Sequence, residues 1–342
     1  MPDPVLTPAI DKVASGRHLS ADEAAQVLEV IMAGDASEAQ IAGLLIGLRT
    51  KGETVDEIAG LARTMRRLAA SVETGRADLV DTAGTGGGPS TFNISTAAAL
   101  VAAGAGCAVA KHGNRSNTSR SGSADLLEAL GVEIELGPAA VARCIEEVGF
   151  GFMFAPRHHA AMKHVVPVRK ELGVRTIFNF LGPLTNPAGA RRQLLGVSDR
   201  HYQETIAEAL VGLGCERALV VCSDDGVDEI SVAERTRVIE VADAATKEWF
   251  VTPEDLGIER VGLDTIAGGS PEDNAATVQS VLGGDSGPAR EIVCLNAGAA
   301  IVAAGVAHDL AAGLERAREA LDSGAAKGVL ERLVRLSGEL AD

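Results

Sequence analysis

The sequence predicts an α/β protein of two unequal parts. A small helical N-terminal domain spans residues 1–75, and a larger α/β domain, 76–342, carries a mostly parallel central sheet flanked by helices. Three observations predict this. The first seventy residues hold three capping boxes heading apolar repeats of helical spacing, with no strand between them. From Asp78 onward, strand-length apolar runs alternate with helical stretches, the pattern of a parallel sheet covered by helices. The length of 342 residues exceeds what one hydrophobic core commonly organises.

The capping boxes are Ser20 to Glu23, Ser37 to Gln40 and Thr54 to Glu57. In each, the hydroxyl accepts an orphan backbone N–H and the longer side chain reaches back to the cap. Ile41, Leu44, Leu45 and Leu48 then line one helical face, and Ile58, Leu61, Met65 and Leu68 another. Strands are expected at Leu79-Val80, Cys107 to Ala110, Phe150 to Phe154, Leu194 to Val197 and Ala218 to Cys222, with helices at Ile94 to Gly104 and Ile206 to Leu213. Pro156 to Pro187 reads as a helical or loop excursion, and residues 271–338 as Ala-rich helices.

Composition narrows the function. With 31 basic and 47 acidic residues the net charge is −16, which argues against a general nucleic-acid or anionic-membrane binder. Aromatic residues make up 3%, too few for base-stacking platforms. The longest apolar run, Ala97 to Ala110, is too short to span a bilayer. Met1-Pro2-Asp3-Pro4 offers no basic n-region, so no signal peptide is read. Cys107, Cys144, Cys215, Cys222 and Cys294 are odd in number and form no C-x-x-C, so a cytoplasmic protein with reduced thiols and no structural zinc is expected.

Four constellations carry chemistry. Asp81 to Gly88, then Pro89 to Thr96, lies between an expected strand and helix. Its glycines let backbone approach a ligand, while helix N-terminal amides and the Ser95 and Thr96 hydroxyls are expected to face the same space, an anion site. No Gly-Lys-Ser/Thr closes it, so it is not a Walker A loop. Lys111-His112-Gly113-Asn114-Arg115 and the hydroxyl row through Ser123 follow the next strand, at an edge where open α/β sheets bind ligands. Two neighbouring anion-binding turns suit a ligand with two separated anionic groups. Asp224 to Glu229 clusters hard oxygen donors fit for Mg²⁺ but lacks EF-hand spacing. His158, His159, His164, Arg169, Lys170 and Arg175 supply cations. H-E-x-x-H is absent, and a buried Arg could clamp a carboxylate in bidentate fashion. No G-x-S-x-G elbow supports hydrolase chemistry. Residue chemistry alone reaches a Mg²⁺-assisted enzyme acting on a phosphorylated small molecule.

Taken in order, Gly84-Thr-Gly-Gly87, Thr91-Phe-Asn-Ile-Ser-Thr96, Lys111-His-Gly-Asn-Arg115, Ser121-Gly-Ser-Ala-Asp125, Val168-Arg-Lys-Glu-Leu-Gly173, Asn179 to Pro187 and Asp228-Glu229 resemble the anthranilate phosphoribosyltransferases of tryptophan biosynthesis, within the nucleoside phosphorylase/phosphoribosyltransferase superfamily. The resemblance runs to about residue 310. It implies transfer of the phosphoribosyl group of phosphoribosyl pyrophosphate to the amine of anthranilate, with Mg²⁺, two ions, and a homodimer formed through the helical domain. The excursion near 165–190 would pack on that domain. By the same resemblance, Gly84, Gly87, Thr91, Asn93, Ser95, Thr96, Lys111, Asn114, Arg115, Ser119 and Ser123 would surround phosphoribosyl pyrophosphate. Gly84, Asn114 and Arg169 would meet anthranilate, with His112 lining the pocket and no acid or base assigned. Ser95, Asp228 and Glu229 would hold the metal.

The chain departs from the family pattern at Gly88, where Asp is usual, and the loop before Thr91 is one residue shorter. This bears on diphosphate or metal handling. Thr118 in place of the usual Ser keeps a hydroxyl. The alternatives are a pyrimidine nucleoside phosphorylase of the same architecture, to be tested by nucleoside phosphorolysis, and a non-catalytic nucleic-acid-binding relative. The paired hydroxyls and Asp228-Glu229 weigh against the first, and the acidic balance against the second.

Overall fold

A computed structural model describes residues 3–116 and 120–341. Asn117, Thr118 and Ser119 lie outside the described residues, so the expectation for Ser119 is not addressed by it. Four helices open the chain: α1 (Leu6–Ala14), α2 (Ala21–Ala33), α3 (Glu38–Lys51) and α4 (Val55–Leu68). Ser20, Ser37 and Thr54 cap α2 to α4, each in a reciprocal box. The expected faces are buried, although Leu68 stays exposed at the end of α4.

The α/β part follows as β1 (Leu79–Gly84), α5 (Ile94–Gly104), β2 (Ala108–Gly113), α6 (Ser123–Ala129), α7 (Pro138–Val148) and β3 (Phe150–Phe154). The excursion contributes α8 (Ala155–His158), α9 (Val166–Leu172) and α10 (Phe178–Leu181). Then come β4 (Arg192–Gly196), α11 (Gln203–Gly212), β5 (Arg217–Ser223), β6 (Thr236–Ala242), β7 (Ala245–Val251) and the helices α12 (Pro271–Leu282), α13 (Pro288–Ala303), α14 (Leu310–Asp322) and α15 (Ala325–Glu339).

The seven strands run in the order β3-β2-β1-β4-β5-β6-β7. The first five are parallel, and β6 and β7 add an antiparallel ribbon that the sequence reading did not anticipate. Its turn, Asp243-Ala244, takes positive φ at two non-glycine residues (51° and 57°), so it lacks the Asn-Gly signal of a tight hairpin.

Alternation along the strands divides the interior. Leu194 and Leu219 face a core shared with α5 and α13, whereas Leu195 and Val220 face one shared with α11 and the first four helices. The second core also takes Val165, Val168, Ile177, Phe178 and Leu184 from the excursion. On the first side the helices are Ala- and Gly-rich because their backbones nearly touch. A Cβ at Gly313 would lie 2.4 Å from the Gly298 carbonyl oxygen, so neither helix admits a larger residue there.

This order fixes where a ligand can sit. The chain leaves β1 toward β2 and leaves β4 toward β5, on opposite sides, while β1 and β4 pair directly from Val80↔Arg192 to Gly84↔Gly196. Their carboxyl ends are therefore the topological switch point, where the sheet opens a crevice.

Candidate active site

Gly84 and Gly196 end the paired strands, and Asp228, from the turn after β5, seats between them. A Cβ on Gly84 would lie 2.2 Å from Asp228 Oδ2, and one on Gly196 1.6 Å from the Asp228 carbonyl oxygen, so both positions exclude a side chain. The Gly86 amide donates to Asp228 Oδ2 (2.8 Å), and Thr85 N–H donates to the Gly196 carbonyl (2.9 Å). The glycine-rich loop is thus a continuation of β1, bent over the acidic turn.

The Gly88 departure acquires a physical reason. A Cβ at that position would lie 2.2 Å from the Gly226 carbonyl oxygen. The shortened loop rests backbone-on-backbone against the acidic turn, and an Asp there would force the two apart.

Asn93 closes the far end of the loop. It donates to the Ser121 carbonyl (3.1 Å) and accepts from Ser121 Oγ (2.9 Å) and Asn274 Nδ2 (2.9 Å), tying the first loop to the second and to α12. Ser95 and Thr96 diverge, contrary to the expectation that both hydroxyls face one space. Ser95 Oγ lies 3.4 Å from Lys111 Nζ, whereas Thr96 is fully buried with a hydroxyl that meets no partner among the described residues. Successive helical residues point about 100° apart, so adjacent side chains cannot share a face.

Lys111 is buried beneath this loop, donating to the Thr82 carbonyl and to Thr82 Oγ1 (3.1 Å). Burial lowers its ammonium to about 8, while Asp81 and Glu229 oppose that shift, so it is mostly charged at neutral pH. Asp81 accepts from the His112 amide (3.2 Å) and Asn186 Nδ2 (2.7 Å). Asn186, from the excursion, also donates to the Ala110 carbonyl (2.8 Å), so this buried carboxylate joins β1, β2 and the excursion.

His112 follows Lys111 and lies 5.0 Å, ring to ring, from His159. Burial and the His159 imidazole push His112 down to about 3, burial and the His158 imidazole push His159 down to about 4, and burial lowers His158 as well. All three are neutral at physiological pH, which leaves them unfit to neutralise an anion.

The second loop organises itself. Asn114 Oδ1 accepts from the Arg115 amide (2.7 Å), and Asp125 Oδ2 accepts from the amides of Ser116 (3.2 Å) and Gly122 (2.8 Å). The Arg115 guanidinium forks onto both oxygens of Glu128 and onto Asp125 Oδ1 (3.0 Å), so this expected anion ligand is engaged by two carboxylates of α6. Ser123 opens α6 with its Cβ against the end of β2.

Across the crevice, Arg169 on α9 is partly buried, 5.6 Å over the Phe178 ring, and only a long 3.5 Å contact links it to Asn179 Oδ1. Burial lowers its guanidinium, and among the described residues no carboxylate partner offsets this, a setting suited to an incoming carboxylate.

Sequence reasoning missed how Arg175 and Ser198 are used. Arg175 donates to the carbonyls of Thr85 (3.1 Å) and Gly86, and Ser198 Oγ donates to the Gly86 carbonyl (2.6 Å). Neither residue has a local motif. The only signal was the cluster of cations in which Arg175 sits.

The residues present fit a hard divalent cation. Asp228 and Glu229 are both raised by burial, Glu229 also by Asp228 beside it, and Glu229 Oε2 is sealed from solvent with no hydrogen-bond partner among the described residues. Two buried oxygen-donor carboxylates whose raised state Lys111 and Arg175 offset only in part suit Mg²⁺. Among the described residues no group of three or more His, Cys, Asp or Glu could hold a metal by itself, so further ligands would have to come from hydroxyls, water or substrate oxygens.

A helical bundle joined to an α/β sheet, with two loops and a carboxylate pair meeting at its switch point, is the two-domain architecture of the glycosyl transferase family. Residues 7–69 match the helical bundle domain of the glycosyl transferase family, and residues 76–327 its a/b domain. The chain is 54% identical to an anthranilate phosphoribosyltransferase from Rubrobacter xylanophilus, covering 98% of this chain and 99% of that one. The crystal structure of anthranilate phosphoribosyltransferase from Thermus thermophilus superposes with a TM-score of 0.92 at 48% identity, covering 96% of this chain and 99% of the other. The Saccharomyces cerevisiae anthranilate phosphoribosyltransferase in complex with PRPP and Mg superposes with a TM-score of 0.90 at 29% identity, covering 98% and 99%. The chain belongs to the anthranilate phosphoribosyltransferase family.

Proposed function

We propose that this chain transfers the phosphoribosyl group of phosphoribosyl pyrophosphate to the amine of anthranilate, giving N-(5-phosphoribosyl)anthranilate and pyrophosphate in tryptophan biosynthesis. The observation that carries the reading is the meeting of two anion-accepting loops and a carboxylate pair at the β1/β4 switch point, in a chain whose relatives of that name match it along nearly its full length.

An aromatic amine is a neutral nucleophile, so the reaction needs no strong base. The barrier lies in releasing diphosphate from an oxocarbenium-like sugar, and stabilising charge on the leaving group is the main demand. Gly84, Gly87, Thr91, Asn93, Ser95, Lys111, Asn114, Arg115, Ser119 and Ser123 surround the phosphoribosyl donor, with Thr96 buried behind Ser95 rather than facing it. Lys111 supplies a fixed positive charge from beneath the loop, and Asn93 holds the two loops at one spacing. Ser95, Asp228 and Glu229 hold Mg²⁺, two ions in all. When bound, the metal supplies positive charge against the departing diphosphate. Gly84, Asn114 and Arg169 meet anthranilate, with Arg169 on its carboxylate, while neutral His112 lines the pocket without competing for that anion.

The division at 75/76, with the excursion near 165–190 counted with the helical domain, belongs to the same reading. The core shared by α1–α4 and the excursion supports it. So does a homodimer through that domain, supported by the exposed apolar side chains Ile46, Val166 and Val174. The five unpaired cysteines support a cytoplasmic location.

The test is anthranilate fluorescence, followed with and without phosphoribosyl pyrophosphate and Mg²⁺. Loss of fluorescence that requires both is expected. A purified chain that consumes no anthranilate under these conditions, or that instead phosphorolyses pyrimidine nucleosides, would overturn the reading.

A further inference from the structure

Arg175 lies in the excursion between α9 and α10, outside every residue set assigned above. Its guanidinium grips two consecutive carbonyls of the glycine-rich loop, those of Thr85 and Gly86. Its own carbonyl accepts from Arg49 of α3. One residue thus links the helical part, the excursion and the loop, the first through its carbonyl and the last through its guanidinium.

The consequence follows from the planarity of the peptide unit. The peptide bonds of this loop are trans, so each carbonyl points opposite to the N–H of the next residue. The Thr85–Gly86 peptide is held at both ends, its carbonyl by Arg175 and its N–H by Asp228 Oδ2. The Gly86–Gly87 peptide is held only at its carbonyl, by Arg175 and Ser198 Oγ. Its Gly87 N–H therefore points away from the guanidinium, and among the described residues neither this amide nor that of Gly88 has an acceptor. Gly87 takes φ +90°, and a Cβ there would lie 1.5 Å from Arg175 Nη1, so only glycine lets the guanidinium approach.

We propose that Arg175 is a positioning residue: by pulling the Thr85 and Gly86 carbonyls to one side, it presents the Gly87 amide to the diphosphate of the donor. The inference rests on the proposed function for the identity of that anion. Without the grip, the Thr85–Gly86 peptide is held only at its N–H, by Asp228, and the Gly86 carbonyl only by Ser198 Oγ, so both carbonyl dipoles are less restrained from turning toward the diphosphate and repelling it.

The experiment measures pyrophosphate affinity by calorimetry, and KM for both substrates, in wild type, Arg175→Ala and Arg175→Lys. Arg175→Ala is expected to weaken pyrophosphate binding and raise the KM for phosphoribosyl pyrophosphate by about tenfold or more, the scale of one charge-assisted hydrogen bond. The KM for anthranilate should move less than about twofold, within the range of an uninvolved surface change. Added guanidinium chloride at millimolar levels should restore part of the lost affinity, which a purely architectural role would not allow. Arg175→Lys, a single point donor that cannot fork across two carbonyls, should fall between the two.

Wild-type pyrophosphate affinity in Arg175→Ala would overturn the proposal. If that variant does not fold, wild-type affinity in Arg175→Lys would overturn it instead. Because the readout is pyrophosphate affinity, it is judged apart from turnover: a wild-type chain that binds pyrophosphate yet consumes no anthranilate removes the proposed reaction and leaves the Arg175 test standing.

Discussion

The two loops at the crevice solve the same problem by different means. The glycine-rich loop, residues 84–91, presents backbone positioned by groups distant in the chain: the Asp228 side chain on one amide, the Arg175 and Ser198 side chains on the carbonyls, and the Gly226 carbonyl against Gly88. The second loop holds itself through Asn114, Asp125 and Glu128, and its expected anion ligand is the side chain of Arg115. A backbone site depends on what stands behind it. A side-chain site depends on what competes for the charged head.

The sharpest way to break this comparison is at the carboxylate pair behind the first loop. Asp228→Asn keeps an oxygen that can accept the Gly86 amide, so with Glu229→Gln the double variant removes charge while leaving the loop's support in place. Turnover is expected to drop about a thousandfold, the scale of lost transition-state electrostatics, with loss of the Mg²⁺ response. A double variant with full activity and an unchanged Mg²⁺ titration would make the acidic turn a mere prop.

Next in size is Gly88→Ala, which places a methyl group 2.2 Å from the Gly226 carbonyl oxygen. Backbone must yield on one side, at a cost of about 1–3 kcal/mol typical of overpacking. The expected result is a lower melting temperature and a higher KM for phosphoribosyl pyrophosphate. A variant that melts and turns over like wild type would show that the loop and the acidic turn slide past one another freely.

Behind both loops stand His112, His158 and His159, kept neutral by burial. Their folded pKa values lie below those of the unfolded chain, so between about pH 6.5 and the folded values the unfolded state takes up protons that the folded state refuses. Stability is therefore lost as pH falls, from about 6.5 down through about 4 for His159 and about 3 for His112. Asp81, Asp228 and Glu229, whose carboxyls are raised, act in the opposite sense, so a difference measurement is needed. His158→Asn should lose less melting temperature between pH 7 and 5 than wild type does. An equal loss would free His158 of any part in acid lability.

What could be read in advance divides along the same line. The capped helices, the parallel strands and both loops are local patterns, because caps, strand runs and turn glycines act over a few neighbouring residues. The choice of Gly88 over Asp could be noticed but not explained, since its cause is a carbonyl far along the chain, at Gly226. Arg175 and Ser198 reach the loop across 89 and 112 positions, and no spacing rule connects such pairs. The β6–β7 ribbon escaped because its turn residues, Asp243 and Ala244, carry no glycine and because β7 is largely exposed, without an apolar run to mark it.

The smallest expected effect tests the second loop, and its sign decides more than its size. Glu128 binds the Arg115 guanidinium with both oxygens and, unlike Asp125, supports no amide of the loop among the described residues. Arg115 is 46% exposed at its side chain, so the pair is screened and weak, about 0.2–1 kcal/mol. A donor phosphate must nevertheless displace Glu128 or share the guanidinium with it. Glu128→Gln keeps the shape and removes the charge, so competition predicts a KM for phosphoribosyl pyrophosphate lower by about two- to fourfold, with kcat unchanged. A higher KM would mean that Glu128 aims Arg115 rather than detains it. The second loop would then work as the first does, by a support set behind the group that meets the anion, and the distinction between the two loops would disappear.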